Sequence, residues 1–151
     1  MSPIGDSFPP EEKEASFHRQ LKPGQVIYLN CTFTNPPKPK YVVLACIKPK
    51  LLCFLINSKI HPYIEKNPHL KQSQILIPRD SHSFLDHDSY VDCKEVKELS
   101  LDDVKTQVLS DMSRIKEEIS AEVKSTIIKT ISASSTITPR HKKWILDSLK
   151  E

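Results

Sequence analysis

The distribution of proline is the feature that most constrains the fold of this chain. Eleven of its twelve prolines lie before residue 79, and the twelfth is Pro139. Proline fixes φ and has no backbone N–H, so it is excluded from helix interiors and from the central strands of sheets. The first half is therefore predicted to consist of short strands and turns, whereas the second half has room for long helices.

Glycine is scarce in this chain, with two residues in 151. Phosphate-binding loops, dinucleotide fingerprints and nucleophile elbows need glycine where the backbone turns sharply or approaches a ligand. The sequence therefore excludes these classes of nucleotide-binding protein and hydrolase. One of the two, Gly24, ends a Lys-Pro-Gly turn directly before the first predicted strand.

Short apolar runs bounded by turn residues predict a series of strands in the first hundred residues. The runs cover 25–30, 41–47, 51–57, 74–77 and 89–96. Such a series is typical of a small barrel or a strongly bent sheet. We assign residues 21–100 to this β-domain and interpret residues 1–20 as a loose lead-in with one short helix at 10–19.

The second half of the chain has the spacing of helices. From Val104 to Ile131 an apolar residue recurs every three or four positions, directly after Ser100, a predicted N-cap. One helix over this stripe would be about 45 Å long, which exceeds the width of a small barrel. It either breaks, near Ser120 or at 125–126, or extends outward and pairs with a second copy.

A last helix is predicted over 140–149, with Thr138 as its N-cap and Pro139 in its first turn. Residues 101–151 are therefore assigned to a C-terminal helical extension. The predicted fold class is α+β: a small β-barrel followed by a long helical region.

Charge is concentrated in the predicted β-domain. Residues 21–78 carry eight lysines and one glutamate, a net charge of +7, although the whole chain carries +3. Such a segment attracts polyanions, including nucleic acid; alternatively, the lysines only keep sheet edges soluble. Because the sequence shows no apolar run long enough for a membrane span and no secretion signal, we expect a cytoplasmic protein without a membrane partner.

The cysteines and histidines do not have the spacing of metal ligands. Cys31, Cys46, Cys53 and Cys93 form no Cys-x-x-Cys pair, and the six histidines form no His-Glu-x-x-His motif. We therefore expect no metal and no cofactor. The cysteines are interpreted as buried, reduced thiols of a cytosolic protein.

Two lysines before the second strand are candidates for contacts with RNA. Lys38 and Lys40 flank a proline that holds the chain extended, which suits contacts with backbone phosphates. Phe33 and Tyr41 lie near them in the sequence, Tyr63 lies near Lys59, and all three have faces on which bases can stack. The alternative is solubilising charge on a loop.

Two further segments carry polar groups suited to chemistry. Asn57-Ser58-Lys59 follows the most apolar strand and can hold a phosphate or activate a ribose hydroxyl; the alternative is an ordinary strand exit. The segment SHSFLDHDSY at 81–90 supplies candidate acid–base groups in its histidines and aspartates; the alternative is a loop with capping aspartates.

The order of these segments resembles that of the MazF/PemK toxins. PGQVIYLN at 23–30 is similar to the first strand of that family, KPKYVVLA at 38–45 to its second, and CFLINSK at 53–59 to its third. DSYV at 88–91, followed by SLDDV at 100–104, is similar to its segment leading into a helix. The resemblance covers roughly residues 22–110.

The resemblance implies an SH3-like barrel, a homodimer and metal-independent cleavage of single-stranded RNA. Such a protein would be a growth-inhibiting ribonuclease of a toxin–antitoxin or defence system, and in the former case an antitoxin protein would be its partner. The family uses an arginine at the start of the second strand and a threonine or serine at the end of the third, while a ribose 2′-hydroxyl attacks its own phosphate. Here Lys38 or Lys40 replaces the arginine, and Asn57 and Ser58 occupy the hydroxyl position. Lysine keeps the charge without the bidentate fork.

The expected catalytic residues are therefore Lys40, Lys38, Asn57 and Ser58, and the expected RNA-binding residues are Lys22, Lys38, Lys40, Lys59 and Tyr63. Two alternatives are kept. One is a catalytically inactive SH3-like module that binds RNA or a protein partner. The other is a structural dimer in which the helical extension is the important part.

Overall fold

The computed structural model describes residues 10–34 and 36–150 and has an α+β architecture. The strands of this part are β1 (Gln25–Cys31), β2 (Lys38–Cys46), β3 (Leu52–Asn57), β4 (Gln74–Ile77), β5 (Ser89–Glu98) and β6 (Ile115–Glu118). Its α-helices are α1 (Pro10–Gln20), α2 (Pro62–Glu65), α3 (Pro68–Lys71), α4 (Leu101–Ser110), α5 (Ala121–Ala133) and α6 (Pro139–Leu149). The predicted α+β class is thus confirmed, whereas the part of the predicted lead-in before Pro10 lies outside the described residues.

The strands form one antiparallel sheet in the order β4-β5-β3-β2-β1-β6, curled into a half-barrel. The register shifts within the β1–β6, β2–β3 and β3–β5 pairs. Such irregularities bend a strand and increase its twist. All five predicted strands are present within one to three residues of their predicted ends, and they form a strongly bent sheet, as expected.

The sheet has a separate apolar core on each face, because successive side chains of a strand point to opposite sides. On one face, which we call the α5–α6 face, Val43 and Phe54 pack with Ile127, Ile131 and Ile145. On the other, the α1–α4 face, the core consists of residues from β1, β2, α1 and α4, namely Ile27, Leu29, Val42, Leu44, Phe17, Val104 and Val108. Both faces are therefore covered by helices.

Of the two alternatives for the apolar stripe from Val104 to Ile131, the structure shows the one in which the helix breaks. It stops at Ser110, and the chain forms a 3₁₀ turn and then β6, which pairs with the free edge of β1 through Ile27 and Ile115. Helix resumes after Ser120, whose hydroxyl accepts a hydrogen bond from the N–H of Val123. The break covers residues 111–120 and so includes Ser120, the first of the two predicted break sites. Because β6 lies in this break, the sheet extends past residue 100, the predicted end of the β-domain.

The predicted helix at 10–19 is present as α1 and is part of the folded body. Phe17 is 1% exposed and packs in the core of the α1–α4 face. Glu14 of α1 forms an ion pair with Lys105 of α4. From Pro10 onward the segment is thus not a loose lead-in, because its one large apolar side chain is buried.

The turn before β1 needs its glycine. Gly24 has φ +91°, a conformation that L side chains rarely adopt. Its N–H donates to the carbonyl of Leu44 at 2.7 Å, and its own carbonyl accepts from the N–H of Ile119 at 2.9 Å. Gly24 therefore joins β2 to the segment after β6.

The last helix starts as predicted, with the Thr138 hydroxyl accepting from the N–H of His141 at 3.3 Å and Pro139 in the first turn. Ile145 and Leu149 bury its apolar face. No helix in the described part of the chain is both long and apolar enough to cross a membrane.

Candidate functional site

A cleft of about 280 Å³ opens on the α5–α6 face of the sheet. Its walls come from the middle of β1, the starts of β2 and β5, the end of β3 and the loop before β5. The lining residues are Tyr28, Lys38, Pro39, Lys40, Tyr41, Ile56, Ser58, Phe84, Leu85, Asp86, His87 and Ser89. We call it the tyrosine cleft.

Three aromatic rings contact one another in the tyrosine cleft, with angles of 54° and 56° between the planes of neighbouring rings. Tyr28 and Tyr41 lie directly opposite each other on β1 and β2, with ring centroids 4.8 Å apart. The ring of Tyr41 also contacts that of Phe84, with centroids 5.1 Å apart. The Tyr41 hydroxyl donates a hydrogen bond to the Phe84 carbonyl at 3.3 Å. Burial raises the pKa of Tyr41, so its phenol stays neutral. This cluster of rings suits the stacking of planar rings such as nucleobases.

The loop before β5 places a histidine in the cleft wall. His87 Nδ1 lies 2.9 Å from the carbonyl oxygen of Asp88, which can only accept, so Nδ1 carries the proton in that hydrogen bond. In the neutral ring the free lone pair is then on Nε2, the form that a general base requires. Asp86 and Ser89 line the same wall.

The predicted acid–base cluster at 81–90 is thus divided by the fold. Asp86 and His87 line the cleft, whereas Asp88 accepts a hydrogen bond from the N–H of Arg79 at 2.9 Å. His82 is fully buried between the Pro78 carbonyl and the N–H of Ser120, at 2.9 and 3.1 Å.

Lys40 and Asn57 are brought together, but on the α1–α4 face. The Lys40 ammonium donates to Asn57 Oδ1. Lys40 lies two residues before Val42, whose side chain belongs to the core of that face. Burial lowers the pKa of Lys40, and the charge of Lys38 lowers it further. Lys40 therefore contributes to the strand wall of the cleft while its charged group is directed to Asn57.

Lys38 and Ser58 line the tyrosine cleft and are both exposed, as a contact with substrate requires. Lys38 is at the start of β2, and Ser58 directly follows β3. Asn57 and Ser58 therefore face different sides of the sheet. The side-chain amide of Asn57 accepts a hydrogen bond from Lys40, and Ser58 lines the cleft. Lys38 lies two residues before Lys40 and pairs with Cys31 of the α1–α4 core, so its side chain starts on the same side of β2 as that of Lys40. Lys38 therefore borders the cleft at its rim, and Ser58 is the expected catalytic residue whose position places its functional group on the cleft side.

The remaining predicted RNA-binding residues do not line the cleft. Lys22 forms an ion pair with Glu118 at 3.4 Å. It precedes the start of β1, whereas Lys38 pairs with Cys31 at the other end of that strand. Lys59 is exposed after β3, and Tyr63 lies on α2, 67% exposed.

An arginine that the sequence analysis did not single out lies behind the cleft. Arg114 donates from Nη1 to the carbonyl of Tyr28 at 2.9 Å, which holds its guanidinium against β1. Its Nε is buried and has no hydrogen-bond partner in the described part of the chain. The side chain therefore supports the strand that carries Tyr28 and does not replace the missing arginine at the start of β2.

All four cysteines are buried and free, which confirms their prediction as buried thiols. Burial raises the pKa of Cys31, Cys53 and Cys93, so these thiols stay protonated. Among residues 10–34 and 36–150, no three His, Cys, Asp or Glu side chains are grouped as metal ligands would be.

No protein-family model matches this chain, and no curated protein sequence matches it.

Proposed function

We propose that this chain is an SH3-like protein of the MazF/PemK type that binds single-stranded RNA in the tyrosine cleft and cleaves it without a metal ion. The observation that carries the proposal is the cluster of contacting rings Tyr28, Tyr41 and Phe84 in a cleft that Lys38 and His87 also line. The half-barrel sheet and its bulges support the SH3-like assignment.

The cleft has the two components of a single-strand binding site. Stacking of a base on an aromatic side chain contributes about 1–3 kcal/mol and tolerates any base. Lys38, exposed at the rim, supplies the charge for a backbone phosphate. A duplex hides the faces of its bases, so this arrangement favours single strands.

The cleavage step uses the ribose itself as nucleophile. His87 Nε2 takes the proton of the 2′-hydroxyl, and the 2′-oxygen attacks the adjacent phosphorus. The bond from phosphorus to the 5′-oxygen breaks, and that oxygen takes a proton from solvent, leaving a 2′,3′-cyclic phosphate and a 5′-hydroxyl. Lys38 compensates the charge on the phosphorane, and Ser58 donates a hydrogen bond to one of its oxygens.

Lys40 and Asn57 act as positioning residues in this scheme. Their hydrogen bond joins the start of β2 to the end of β3, and these two strand ends carry Lys38 and Ser58. In a cell, such a cytoplasmic nuclease inhibits growth, acts as a homodimer and is neutralised by an antitoxin protein.

A second candidate function is an inactive SH3-like module that binds RNA. It is favoured by one observation: the half-buried lysine expected to replace the catalytic arginine bonds Asn57, and Arg114 bonds the β1 backbone. Neither cation is free to stabilise a phosphorane.

The two functions are separated by incubating the full chain with end-labelled single-stranded RNA in EDTA. For a nuclease, we expect cleavage that disappears in His87→Gln while binding remains. Lys22→Gln is the matched control, because Lys22 is a lysine of the same β-domain away from the cleft.

Binding without cleavage, weakened by salt and by Tyr28→Leu, would replace the nuclease with the binding module. Absence of both cleavage and binding would overturn both functions.

A further inference from the structure

A second cavity, of about 270 Å³, lies where the α5–α6 loop meets β5 and the end of α3. Its residues are different from those of the tyrosine cleft. The polar ones include Lys94 of β5, Lys129 of α5, His69 of α3 and the hydroxyls of the loop Ser134-Ser135-Thr136. We call it the loop pocket.

The charged side chains that line the loop pocket are basic. No aspartate or glutamate is among its lining residues, and two lysines are. Within the described residues neither Lys94 nor Lys129 forms an ion pair, whereas lysines elsewhere, such as Lys71 and Lys97, do. Two ammonium groups are therefore available to an anion, and His69 adds a third positive charge when protonated.

The walls of the loop pocket are fixed by hydrogen bonds between different elements. Thr136 Oγ1 donates to the carbonyl of Lys94 at 2.8 Å, and Lys142 of α6 donates to the carbonyl of Ser134 at 2.7 Å. On the opposite side the N–H of Cys93 donates to the carbonyl of Ser73 at 2.9 Å. The pocket is thus formed before a ligand arrives, which lowers the entropic cost of binding.

The loop also offers a hydroxyl donor that the fold does not use. Ser134 Oγ accepts from the N–H of Thr136 and of Ile137, at 3.2 and 3.3 Å. The neighbouring Ser135 is exposed, lines the pocket and forms no hydrogen bond to another described residue. Its hydroxyl is therefore available to an acceptor, as the two ammonium groups are.

We propose that the loop pocket binds the phosphate monoester group of a small molecule. A phosphate monoester carries a charge of about −1.5 to −2 at pH 7 and three acceptor oxygens, which match two lysines and a hydroxyl. The volume of about 270 Å³ is slightly below the range of drug-sized ligand sites, roughly 300–1,000 Å³, which suits a small phosphate monoester. No Phe, Tyr or Trp side chain lines the pocket, so it recognises the phosphate and not a base stacked on a large aromatic ring.

The test is calorimetric titration of the full chain with glycerol phosphate and with inorganic phosphate at low ionic strength, with glycerol as the uncharged control. We expect both phosphates to bind at one site and glycerol not to bind. Lys129→Gln and Lys94→Gln should each weaken binding at least tenfold, and Ser135→Ala about threefold. Lys124→Gln should have no effect, because Lys124 is on the same helix but does not line the pocket.

Equal losses in Lys124→Gln and Lys129→Gln would overturn the site, since they would indicate general attraction of anions to α5. If neither glycerol phosphate nor inorganic phosphate bound, the proposed site would be overturned as well. The result is independent of the proposed nuclease: His87→Gln should bind phosphate normally, and Lys129→Gln should cleave RNA normally.

Discussion

The two faces of the sheet differ in what they leave for function. On the α1–α4 face, helices cover the core, and Lys40 and Asn57 at the strand ends form a hydrogen bond with each other. On the α5–α6 face, the helices leave uncovered the parts of β1 and β2 that carry Tyr28 and Tyr41. One alternating strand thus supplies both faces with different chemistry, because neighbouring residues of β2 point in opposite directions.

The largest expected effect tests whether the α1–α4 face is as necessary for folding as the other. Phe17→Ala should lower the free energy of unfolding by about 3–5 kcal/mol, since it removes a buried ring and leaves a cavity. Ile131→Ala, on the α5–α6 face, should cost about 2–5 kcal/mol. Urea unfolding measures both. A loss below about 1 kcal/mol for Phe17→Ala would mean that α1 is dispensable, in contrast to α5.

The next effect tests whether RNA chemistry is confined to the α5–α6 face. His87→Gln should lower RNA cleavage at least about 10²-fold, the usual contribution of a general base. Lys40→Ala should lower it less than tenfold, because its ammonium bonds Asn57 on the opposite side. Initial rates with labelled RNA measure both. If Lys40→Ala were the more damaging change, the site would belong to the α1–α4 face.

A third prediction compares two histidines of one loop. His82→Ala should cost about 1–3 kcal/mol, since it leaves the buried partners at Pro78 and Ser120 unpaired. His87→Ala should change stability by less than about 0.5 kcal/mol, because His87 is exposed. Thermal and urea unfolding of both variants provide the measurement. Equal effects would contradict the different roles given to the two rings.

A smaller effect is expected at the turn that connects β2 with the segment after β6. Gly24→Ala should cost about 1–2 kcal/mol, the penalty of a left-handed conformation for a residue with a Cβ. The nearest atom to that Cβ, Ile119 Cγ1, would be 3.8 Å away, so the cost comes from the backbone and not from a clash. A neutral substitution, measured by urea unfolding, would show that the turn relaxes.

The smallest effect concerns the charge on the α1–α4 face. The pKa of Lys40 is below 10.5 in the folded chain, mainly because of burial. Between that pKa and 10.5 the unfolded chain binds the proton and the folded chain does not, so the contribution of Lys40 to stability rises with pH. Unfolding of the wild type and of Lys40→Gln, compared from neutral to alkaline pH, should differ by this rise. A constant difference would mean that the ammonium is fully solvated.

Much of the fold was predictable because it depends on local signals. Prolines and apolar runs located β1 to β5, and Thr138 and Ser100 located the starts of α6 and α4. The sixth strand was missed because Ile115 and Ile119, four residues apart, fit the period of a helix as well as they fit alternation in a strand. Pairing with the free edge of β1 favours the strand over the helix, and that edge forms only when the sheet has folded.

The site was predictable in part for a similar reason. Lys38, Tyr41 and Ser58 were singled out and do line the cleft. The grouping of Lys40 and Asn57 with Ser58 overlooked the alternation of side chains, although the sequence contained that signal. His87 was noted among its neighbours, but only the fold separates it from the buried His82.

The sequence by itself determined where β1 to β5, α4 and α6 lie, since caps, prolines and the glycine at 24 act on the neighbouring backbone alone. It also determined that a lysine-rich surface accompanies the sheet. Only the tertiary structure decided which residues share a face, that residues 115–118 join β1, and that the loops before β5 and after α5 each close a cavity. Those outcomes depend on contacts between residues far apart in the chain, whose free energy is gained only when the sheet curls.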